Sequence, residues 1–328
     1  MIIKTPSRLH MSLIDLNCSY GRIDGGIGLT LREPNFIIES EETEKGISIE
    51  FHKSIKNEEI IEGCTNKIKS TAEKTLTHFK SNSGFHFKVH SAYNPHSGLG
   101  SGTQIALATG KLIAESLNYS LTATQLSSIV GRGGTSGVGT FCFEKGGFVI
   151  DGGHSLRDKS KHLPYSESNA EPPQLIGRYD IPEDWNVLVA IPKIHNPVSG
   201  QDEIDIFNKY CPVPKNEVEK VSHIILMNMI PFLLEKNIEC FSKGIDAIQK
   251  VGFKNVEVRL QPKEITDLMN YMREMGAYGV GMSSFGPAIY TLYDKNNEDI
   301  VKATKEYLCD ESTVFTTKVQ NNGYELIK

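Results

Sequence analysis

The sequence predicts an α+β protein of two domains, and three observations support this. With 328 residues, 39% of them apolar, the chain exceeds the usual size of one domain and can bury a core in each of two. Its first half alternates short apolar segments of period 2 with glycine-rich turns and amphipathic helices. Its second half places several helical segments between strands. We therefore predict domains at residues 1–180 and 181–328.

Local patterns define each element of the first half. The chain begins with a strand-like segment, and residues 85–90 alternate apolar and polar side chains. One helix is predicted from Thr103 to about 118, and another opens at Thr122 with a capping-box spacing to Gln125 and ends at 131. The remaining predicted elements are strands at 35–40 and 46–52 and a helix at 66–79.

The two halves are joined by a polar segment, 155–182, that contains four prolines. This composition predicts a long loop or lid. In the second half, Pro231 is expected to kink or split a helix at 216–235 because proline lacks the N–H of a helical bond. The other elements predicted there are strands at 186–191, 288–293 and 313–319 and helices at 238–251, 262–275 and 298–308.

Composition and charge exclude several classes of function. A formal net charge of −5 without a basic run disfavours a nucleic-acid surface. We find no apolar run long enough to span a bilayer and no signal-peptide pattern, so we expect no membrane association. The six cysteines are scattered without a C-x-x-C pair, which disfavours a zinc site or a disulfide framework and favours a reducing, cytoplasmic location. A homodimer is expected only because two-fold assemblies are common.

A glycine-rich loop at residues 96–104 follows a predicted strand and leads into a predicted helix. Its glycines let backbone N–H groups close around an anion, and the helix N-terminus adds the positive end of its dipole. It matches neither the dinucleotide fingerprint nor a Walker A loop. The loop predicts a phosphate or pyrophosphate site, the alternative being a turn without a ligand. Its candidate binding residues are Ser97, Gly98, Leu99, Gly100, Ser101, Gly102, Thr103 and Gln104.

Two clusters near the N-terminus combine cations and carboxylates with glycines. In the first, Arg8 can fork to a phosphate and His10 can become a donor if a polyanion raises its pKa. The alternative is a surface salt bridge beside a hairpin turn. The second cluster contributes the candidates Arg22, Asp24, Gly25 and Gly26.

Three later segments add further candidates. Arg132 lies in a loop with five glycines in nine residues, where it predicts oxyanion binding. Asp151 ends an apolar strand, where a catalytic or metal-ligating carboxylate and a solvated turn residue are both possible. A segment at 193–203 with His195 follows a predicted strand, a common place for ligands. The remaining candidates of this group are Gly133, Gly134, Ser136, Gly137, His154, Ser283 and Ser284.

These motifs, in this order, resemble the GHMP kinase superfamily across nearly the whole chain. P-S-R at 6–8 resembles its first motif, S-G-L-G-S-G-T at 97–103 its phosphate loop, and G-V-G-M-S-S-F-G-P at 279–287 its C-terminal glycine motif. The resemblance implies an N-terminal α/β domain with a left-handed βαβ crossover, a C-terminal ferredoxin-like domain, and a polyanion site between them.

Two positions depart from the kinase pattern. The superfamily's loop usually reads G-L-G-S-S, whose second serine helps to hold magnesium, but this chain has Gly102 there and Thr103 one place later. Its third region often reads S-G-x-D, whose Asp activates the acceptor hydroxyl, but this chain has Gly139 at that place. The departures argue against kinase chemistry.

A more specific resemblance is to the β-ribofuranosylaminobenzene 5′-phosphate synthase family of archaeal methanopterin biosynthesis. It rests on T-P-S-R-L-H, G-R-I-D-G-G-I-G-L, G-L-G-S-G-T-Q, G-R-G-G-T-S-G-V-G and G-G-F-V-I-D-G-G-H. It implies that phosphoribosyl pyrophosphate condenses with 4-hydroxybenzoate or 4-aminobenzoate to a C-riboside 5′-phosphate, releasing CO2 and pyrophosphate.

In that reaction Mg²⁺ is the expected cofactor, with Thr103 and Asp151 as candidate ligands. The candidate catalytic groups are Asp24, Asp151, His10 and His154, and the arginines are expected to bind phosphate or carboxylate groups. Two alternatives stay open: an ATP-dependent kinase of the superfamily, and a non-catalytic protein that binds a phosphosugar or nucleotide.

Overall fold

A computed structural model describes residues 1–164, 168, 170–194, 200–308 and 312–327 of the protein. It contains two β-sheets with helices packed against them. In chain order, the strands of the first sheet are β1 (Ile2–Asp15), β2 (Arg22–Thr43), β3 (Ile47–Phe51), β4 (Gly84–Ser91), β5 (Phe148–Asp151), β6 (His154–Ser155) and β7 (Leu175–Tyr179). Those of the second are β8 (Asn186–Ile191), β9 (Gly281–Met282), β10 (Ile289–Tyr293) and β11 (Thr313–Lys318), and a last strand, β12 (Glu325–Ile327), returns to the first sheet.

The long antiparallel pair β1 and β2 is the centre of the first sheet, which runs in the order β12-β1-β2-β4-β3. The sequence predicted only residues 35–40 of β2, because the glycines at its start resemble a turn. That prediction was too short: Gly28 lies in the strand, where a Cβ would be 2.2 Å from Val138 Cγ1. Its missing side chain therefore lets a helix pack directly on the strand.

Four helices belong to the first half: α1 (Glu58–Phe79), α2 (Ser101–Ser116), α3 (Ala123–Val130) and α4 (Val138–Lys145). The Asn57 side chain accepts a hydrogen bond from the Ile60 N–H, so α1 begins eight residues before its predicted start. The capping box at Thr122 and Gln125 is confirmed. Helix α4 was not predicted, because Gly137 and Gly139 at its start have a low helix propensity.

The second sheet has the antiparallel order β11-β8-β10-β9, which is 4-1-3-2 when its strands are counted along the chain. This is the ferredoxin-like order, so that expectation is confirmed. In the first sheet β3 and β4 are parallel and joined through α1. The left-handedness of this crossover stays a prediction.

The helices of the second half are α5 (Gly200–Tyr210), α6 (Lys215–Ile224), α7 (Ile230–Leu234), α8 (Ile238–Ile248), α9 (Gly252–Arg259), α10 (Lys263–Glu274) and α11 (Asp299–Tyr307). A π-helical turn at Ile225–Met229 precedes Pro231, so the predicted interruption of this helix is confirmed. Helices α5 and α9 and strand β7 were missed, the last of them inside the predicted loop. None of the helices in the described part of the chain is long and apolar enough to cross a membrane.

The halves are joined by side-chain packing and by hydrogen bonds at several places. Leu13 and Leu16 at the end of β1 pack with Phe207 of α5 and Phe253 of α9. The two connections between the sheets, 180–185 and 319–324, also bond to each other: the Ile181 N–H donates to Asn321 Oδ1 and Asn321 Nδ2 donates to the Ile181 carbonyl, both at 2.9 Å. A cleft is left between the halves beside the glycine loop.

Candidate active site

The cleft has a volume of about 360 Å³ and is lined by both halves of the chain. The first half contributes β1, one face of α1, the glycine loop with the start of α2, and the loop that follows α3. The second half contributes Glu203, Phe207, Glu257 and the segment 284–286. The site therefore forms only when the two halves are packed together.

The glycine loop directs the N-terminus of α2 into the cleft. Gly100, with φ +80°, precedes the helix, and the first backbone bonds run from the Thr103 and Gln104 N–H groups to the Gly100 carbonyl. The N–H groups of Ser101 and Gly102 precede these bonds and are therefore available to an anion. Ser97, Leu99 and Gln104 are buried; Gln104 Nε2 donates to the Gly139 carbonyl and so ties α2 to α4.

Arg8 and Ser283 support the loop from below. Arg8 Nη1 donates to the Gly98 carbonyl at 2.6 Å, and a Cβ on Gly100 would lie 2.9 Å from Arg8 Cζ. Ser283 Oγ donates to the same carbonyl at 2.7 Å and accepts a hydrogen bond from the His10 N–H. The C-terminal glycine motif thus positions the glycine loop, which is the role we assign to Ser283; Ser284 lines the cleft.

Replacing Ser283 by alanine is expected to lower the free energy of unfolding by about 1–3 kcal/mol, because the buried His10 N–H loses its acceptor. Urea denaturation measures the change. Ser70→Ala, an exposed position on α1, should stay within roughly 0.5 kcal/mol of the parent. A Ser283→Ala protein as stable as this control would contradict the assigned role.

A group of cations lies beside the start of α2. Arg132 Nη2 would be 2.9 Å from a Cβ on Gly102, and Lys67 of α1 reaches the same glycine. Burial and the charges of Arg132 and Lys74 lower the pKa of Lys67 to about 8. The sequence predicted Arg132 but not Lys67, because nothing in a helical segment marks the face that meets another element.

Below the loop that follows α3, Asp24 is buried between two basic side chains. Its Oδ2 lies 2.6 Å from His154 Nδ1 and 2.9 Å from Lys159 Nζ. The other ring nitrogen of His154 lies 3.0 Å from the Glu171 carbonyl. Both ring nitrogens of His154 therefore face oxygen atoms of the protein, and the residue does not line the cleft, so it is not placed as a general base there.

Lys159 was not predicted and is the centre of this group. Its Nζ also donates to the carbonyls of Gly134 and Leu163 and to Thr135 Oγ1, and Thr135 lines the cleft. The ammonium thus holds the loop that follows α3 in position, while burial lowers the pKa of Lys159. No motif could have identified it, because it lies in the polar segment that was predicted as a loop.

Asp151 lies beneath the cleft rather than in its lining. Its Oδ2 accepts hydrogen bonds from Ser136 Oγ and the Gly137 N–H, and its Oδ1 accepts one from the Gly153 N–H. Burial raises the pKa of Asp151 to about 6, although these bonds oppose the rise. The carboxylate binds the start of α4 to β5, and it would have to give up these donors to bind a metal.

His10 lines the cleft and is buried, and its Nδ1 has no hydrogen-bond partner. Burial, with the charges of Arg8 and Lys254, holds the pKa of His10 well below its usual 6.5. The ring is therefore neutral at pH 7 in the free protein, and its conversion to a cationic donor by a bound polyanion stays a prediction. A neutral imidazole can still donate or accept one hydrogen bond to a substrate.

Two carboxylates from the second half line the cleft: Glu203, which ends the segment 193–203 proposed from the sequence as a place for ligands, and Glu257, which was not predicted. Glu257 pairs with the buried Lys254, whose Nζ also donates to the Ser284 carbonyl. Burial and the charge of Glu257 raise the pKa of Glu203 to about 7. Both residues belong to helices that the sequence analysis missed, and the position of Glu257 beside the glycine loop depends on one of these helices, α9.

Several predicted site residues lie away from the cleft lining. Arg22 donates to the carbonyls of Gly152 and Gly153 on the outer side of the sheet. Gly25 and Gly26 pack against Ile14, Ser136 and Asp151, while Gly134 and Gly137 accommodate Ser168, Phe141 and Pro173. Gly133 lines the cleft. His195 lies outside the described residues.

The cleft offers Mg²⁺ an incomplete set of protein ligands. Thr103 lines it at the first turn of α2 and fits a metal-bound hydroxyl, whereas the hydrogen bonds of Asp151 do not fit a ligand. Among the described residues, no three His, Cys, Asp or Glu side chains group as a metal site. A cation at Thr103 would therefore depend on substrate oxygens for most of its coordination.

Comparisons with known proteins agree with this architecture. Residues 66–147 match the model of the GHMP kinases N-terminal domain, and residues 229–308 match that of the GHMP kinases C-terminal domain. A homoserine kinase structure from Cytophaga hutchinsonii superimposes with a TM-score of 0.64 at 17% identity, covering 100% of this chain and 97% of that one. This likeness supports the fold alone.

Two curated relatives are much more similar in sequence, and both are named β-ribofuranosylphenol 5′-phosphate synthase. The one from Methanothermobacter thermautotrophicus is 47% identical over 100% of this chain and 99% of its own length. The one from Methanocaldococcus jannaschii is 45% identical over 99% and 100%. The chain therefore belongs to the β-ribofuranosylphenol 5′-phosphate synthase family of enzymes, within the GHMP kinase superfamily.

Proposed function

We propose that the protein is a decarboxylating phosphoribosyltransferase of methanopterin biosynthesis. It condenses phosphoribosyl pyrophosphate with 4-hydroxybenzoate, forming a C-riboside 5′-phosphate and releasing CO2 and pyrophosphate. The relatives' printed name supports a phenol product and hence the hydroxy acceptor over 4-aminobenzoate.

The observation that carries this proposal is the packing around Gly102 and Gly139. At the first, where the kinases have their second serine, a Cβ would be 2.9 Å from Arg132 Nη2; at the second, where they have their Asp, it would be 3.0 Å from Thr103 Cγ2. Neighbouring side chains fill both positions. The guanidinium of Arg132 lies where the kinases have the serine, and no carboxylate is present at Gly139, where they have the Asp that acts as a base. This suits a reaction that stabilises a leaving anion and needs no base.

The chemistry balances without a general base. As the bond from C1′ to the diphosphate oxygen breaks, its electron pair leaves with the diphosphate, towards the N–H groups of Ser101 and Gly102 and the guanidinium of Arg132. The ring carbon that bears the carboxylate then bonds to C1′. The bond between this ring carbon and the carboxylate carbon then breaks. The carboxylate leaves as CO2, and the electron pair of the broken bond restores the aromatic ring. No proton has to be removed.

An apolar part of the cleft supports the aromatic acceptor. It lies next to the phosphate loop and includes Tyr93, whose buried hydroxyl has no hydrogen-bond partner and can meet a polar group of the substrate. Other apolar side chains that line the cleft are Leu13, Ile60, Cys64, Pro95, Ile105, Phe207 and Phe285.

We also propose Mg²⁺ as the cofactor, held at Thr103 mainly through diphosphate oxygens. When bound, it would neutralise part of the charge on the leaving group. The guanidinium groups of Arg8 and Arg132 would act on the same negative charge.

Incubation of the purified protein with phosphoribosyl pyrophosphate, carboxyl-labelled 4-hydroxybenzoate and Mg²⁺ is expected to release labelled CO2 and pyrophosphate in equal amounts. The matched reaction with 4-aminobenzoate tests the acceptor. Absence of CO2 with both acceptors would refute the proposal. Formation of ADP from ATP with an acceptor alcohol would support a kinase instead, and binding of the phosphosugar without turnover would support a non-catalytic protein.

A further inference from the structure

One face of α1 lines the cleft, and it changes from apolar to cationic along its length. Ile60, Gly63 and Cys64 belong to the apolar part, and Lys67 follows one turn later beside the glycine loop. Lys74, two turns further along α1, has its Nζ 3.5 Å from the position of a Cβ on Gly131. The cationic end of this face therefore lies where the chain turns towards Arg132.

In the part of the chain that the structure describes, the charged neighbours that shift the pKa of Lys67 are cations. The groups that act on its charge are Arg132 and Lys74, and both disfavour its protonated form. The other charged or titratable groups lining the cleft are Arg8, His10, Cys64, Tyr93 and His96 from the first half and Glu203 and Glu257 from the second. A cluster of like charges at a helix N-terminus is costly in the free protein, and a bound polyanion removes that cost.

We propose that Lys67 is a phosphate-binding residue of this site, which, with Arg132 and the start of α2, holds the diphosphate of the substrate. The assignment rests on the proposed function for the identity of the diphosphate. The contacts that support it come from two elements: Lys67 Cε and Arg132 Nη2 both approach Gly102, which has no side chain to separate them.

If Lys67 binds the diphosphate, the affinity for this ligand depends on pH. With a pKa of about 8, Lys67 is roughly half protonated in the free protein at pH 8 and almost fully protonated at pH 6.5. A bound diphosphate favours the ammonium and raises this pKa. Binding at pH 8 should therefore take up to about half a proton at this side chain, and affinity should fall as the pH rises above 8.

Titration calorimetry with inorganic pyrophosphate tests the assignment without requiring turnover. Lys67→Met is expected to weaken pyrophosphate binding at least tenfold. Lys67→Arg should keep the affinity within about threefold, since arginine also binds phosphate as a cation. Lys69→Met, an exposed position on the same helix, is the matched control and should bind like the parent.

The number of protons taken up when pyrophosphate binds distinguishes a phosphate contact of Lys67 from a purely structural role. Measured at pH 8 in buffers of different ionisation enthalpy, the parent should take up more protons per pyrophosphate than Lys67→Arg, whose guanidinium is always charged. Equal proton uptake by the two, affinity of Lys67→Met within twofold of the parent, or no pyrophosphate binding by the parent would each overturn the proposal. Circular dichroism verifies that the variants fold, and Lys67→Arg retains the test if Lys67→Met does not.

The outcomes also distinguish this proposal from the proposed function. If pyrophosphate binding depends on Lys67 but the parent releases no CO2, the reaction is wrong and the phosphate contact stands. If CO2 is released and Lys67→Met binds pyrophosphate normally, the reaction stands and the assignment of Lys67 is wrong.

Discussion

Replacing Asp24 by asparagine is expected to lower the free energy of unfolding by about 3–5 kcal/mol, because it leaves buried basic groups without their counter-ion. Asp24 Oδ2 is shared by His154 and Lys159, and all three side chains are almost fully buried. Chemical denaturation followed by circular dichroism measures the loss. Asp158→Asn, an exposed carboxylate in the neighbouring turn, is the matched control and should change stability by roughly 0.5 kcal/mol or less.

A double variant tests whether charge, rather than shape, causes this effect. Asp24→Asn combined with Lys159→Met removes one negative and one positive charge together. The double variant should be less destabilised than the sum of the two single variants. Additive losses would show that the two groups do not act as an ion pair.

Replacing Arg8 by methionine is expected to lower kcat/KM for phosphoribosyl pyrophosphate by about 10²–10³-fold, the usual cost of losing a donor that stabilises developing charge. Arg8 is also bonded to the Gly98 carbonyl, so the phosphate loop loses a fixed point at the same time. Initial rates of CO2 release measure the change.

Arg8→Lys keeps the positive charge but not the planar donor set, so we expect an intermediate loss, about 10- to 100-fold. Arg32→Met removes an exposed arginine on β2, outside the cleft, and is the control for net charge. An Arg8→Met protein with the kcat/KM of this control would refute the role of Arg8.

Structural features that depend on residues close together in the chain could be predicted from the sequence. The capping box at Thr122, the effect of Pro231 and the strand–loop–helix arrangement around Gly98 depend on local backbone geometry, and the structure agrees with each. The ferredoxin-like order came from the resemblance rather than from the periodicity of the strands.

Features that depend on distant contacts were not readable. Gly28 looks like a turn residue, but it pairs with His10 and Val149 in the sheet, and Val138 occupies the space that a side chain at Gly28 would need. Lys159 lies in a polar segment without a motif, and its role depends on its contact with Asp24. Lys67 lies in a helix without a motif, and its proposed role depends on its position beside Gly102. Asp151 was readable as an important carboxylate, but not as one that binds the start of α4.

The paired connections between the sheets limit how the molecule can move. Segments 180–185 and 319–324 are joined through Ile181 and Asn321, and Gln320 is also bonded to the backbone of Thr30 and Gly147 in the first half. The connection between the sheets is therefore a braced pair of segments instead of a single flexible tether. Ser283 adds a further link between the halves at the glycine loop, because its Oγ donates to the Gly98 carbonyl and accepts from the His10 N–H. The same serine therefore helps to fix both the packing of the halves and the shape of the glycine loop.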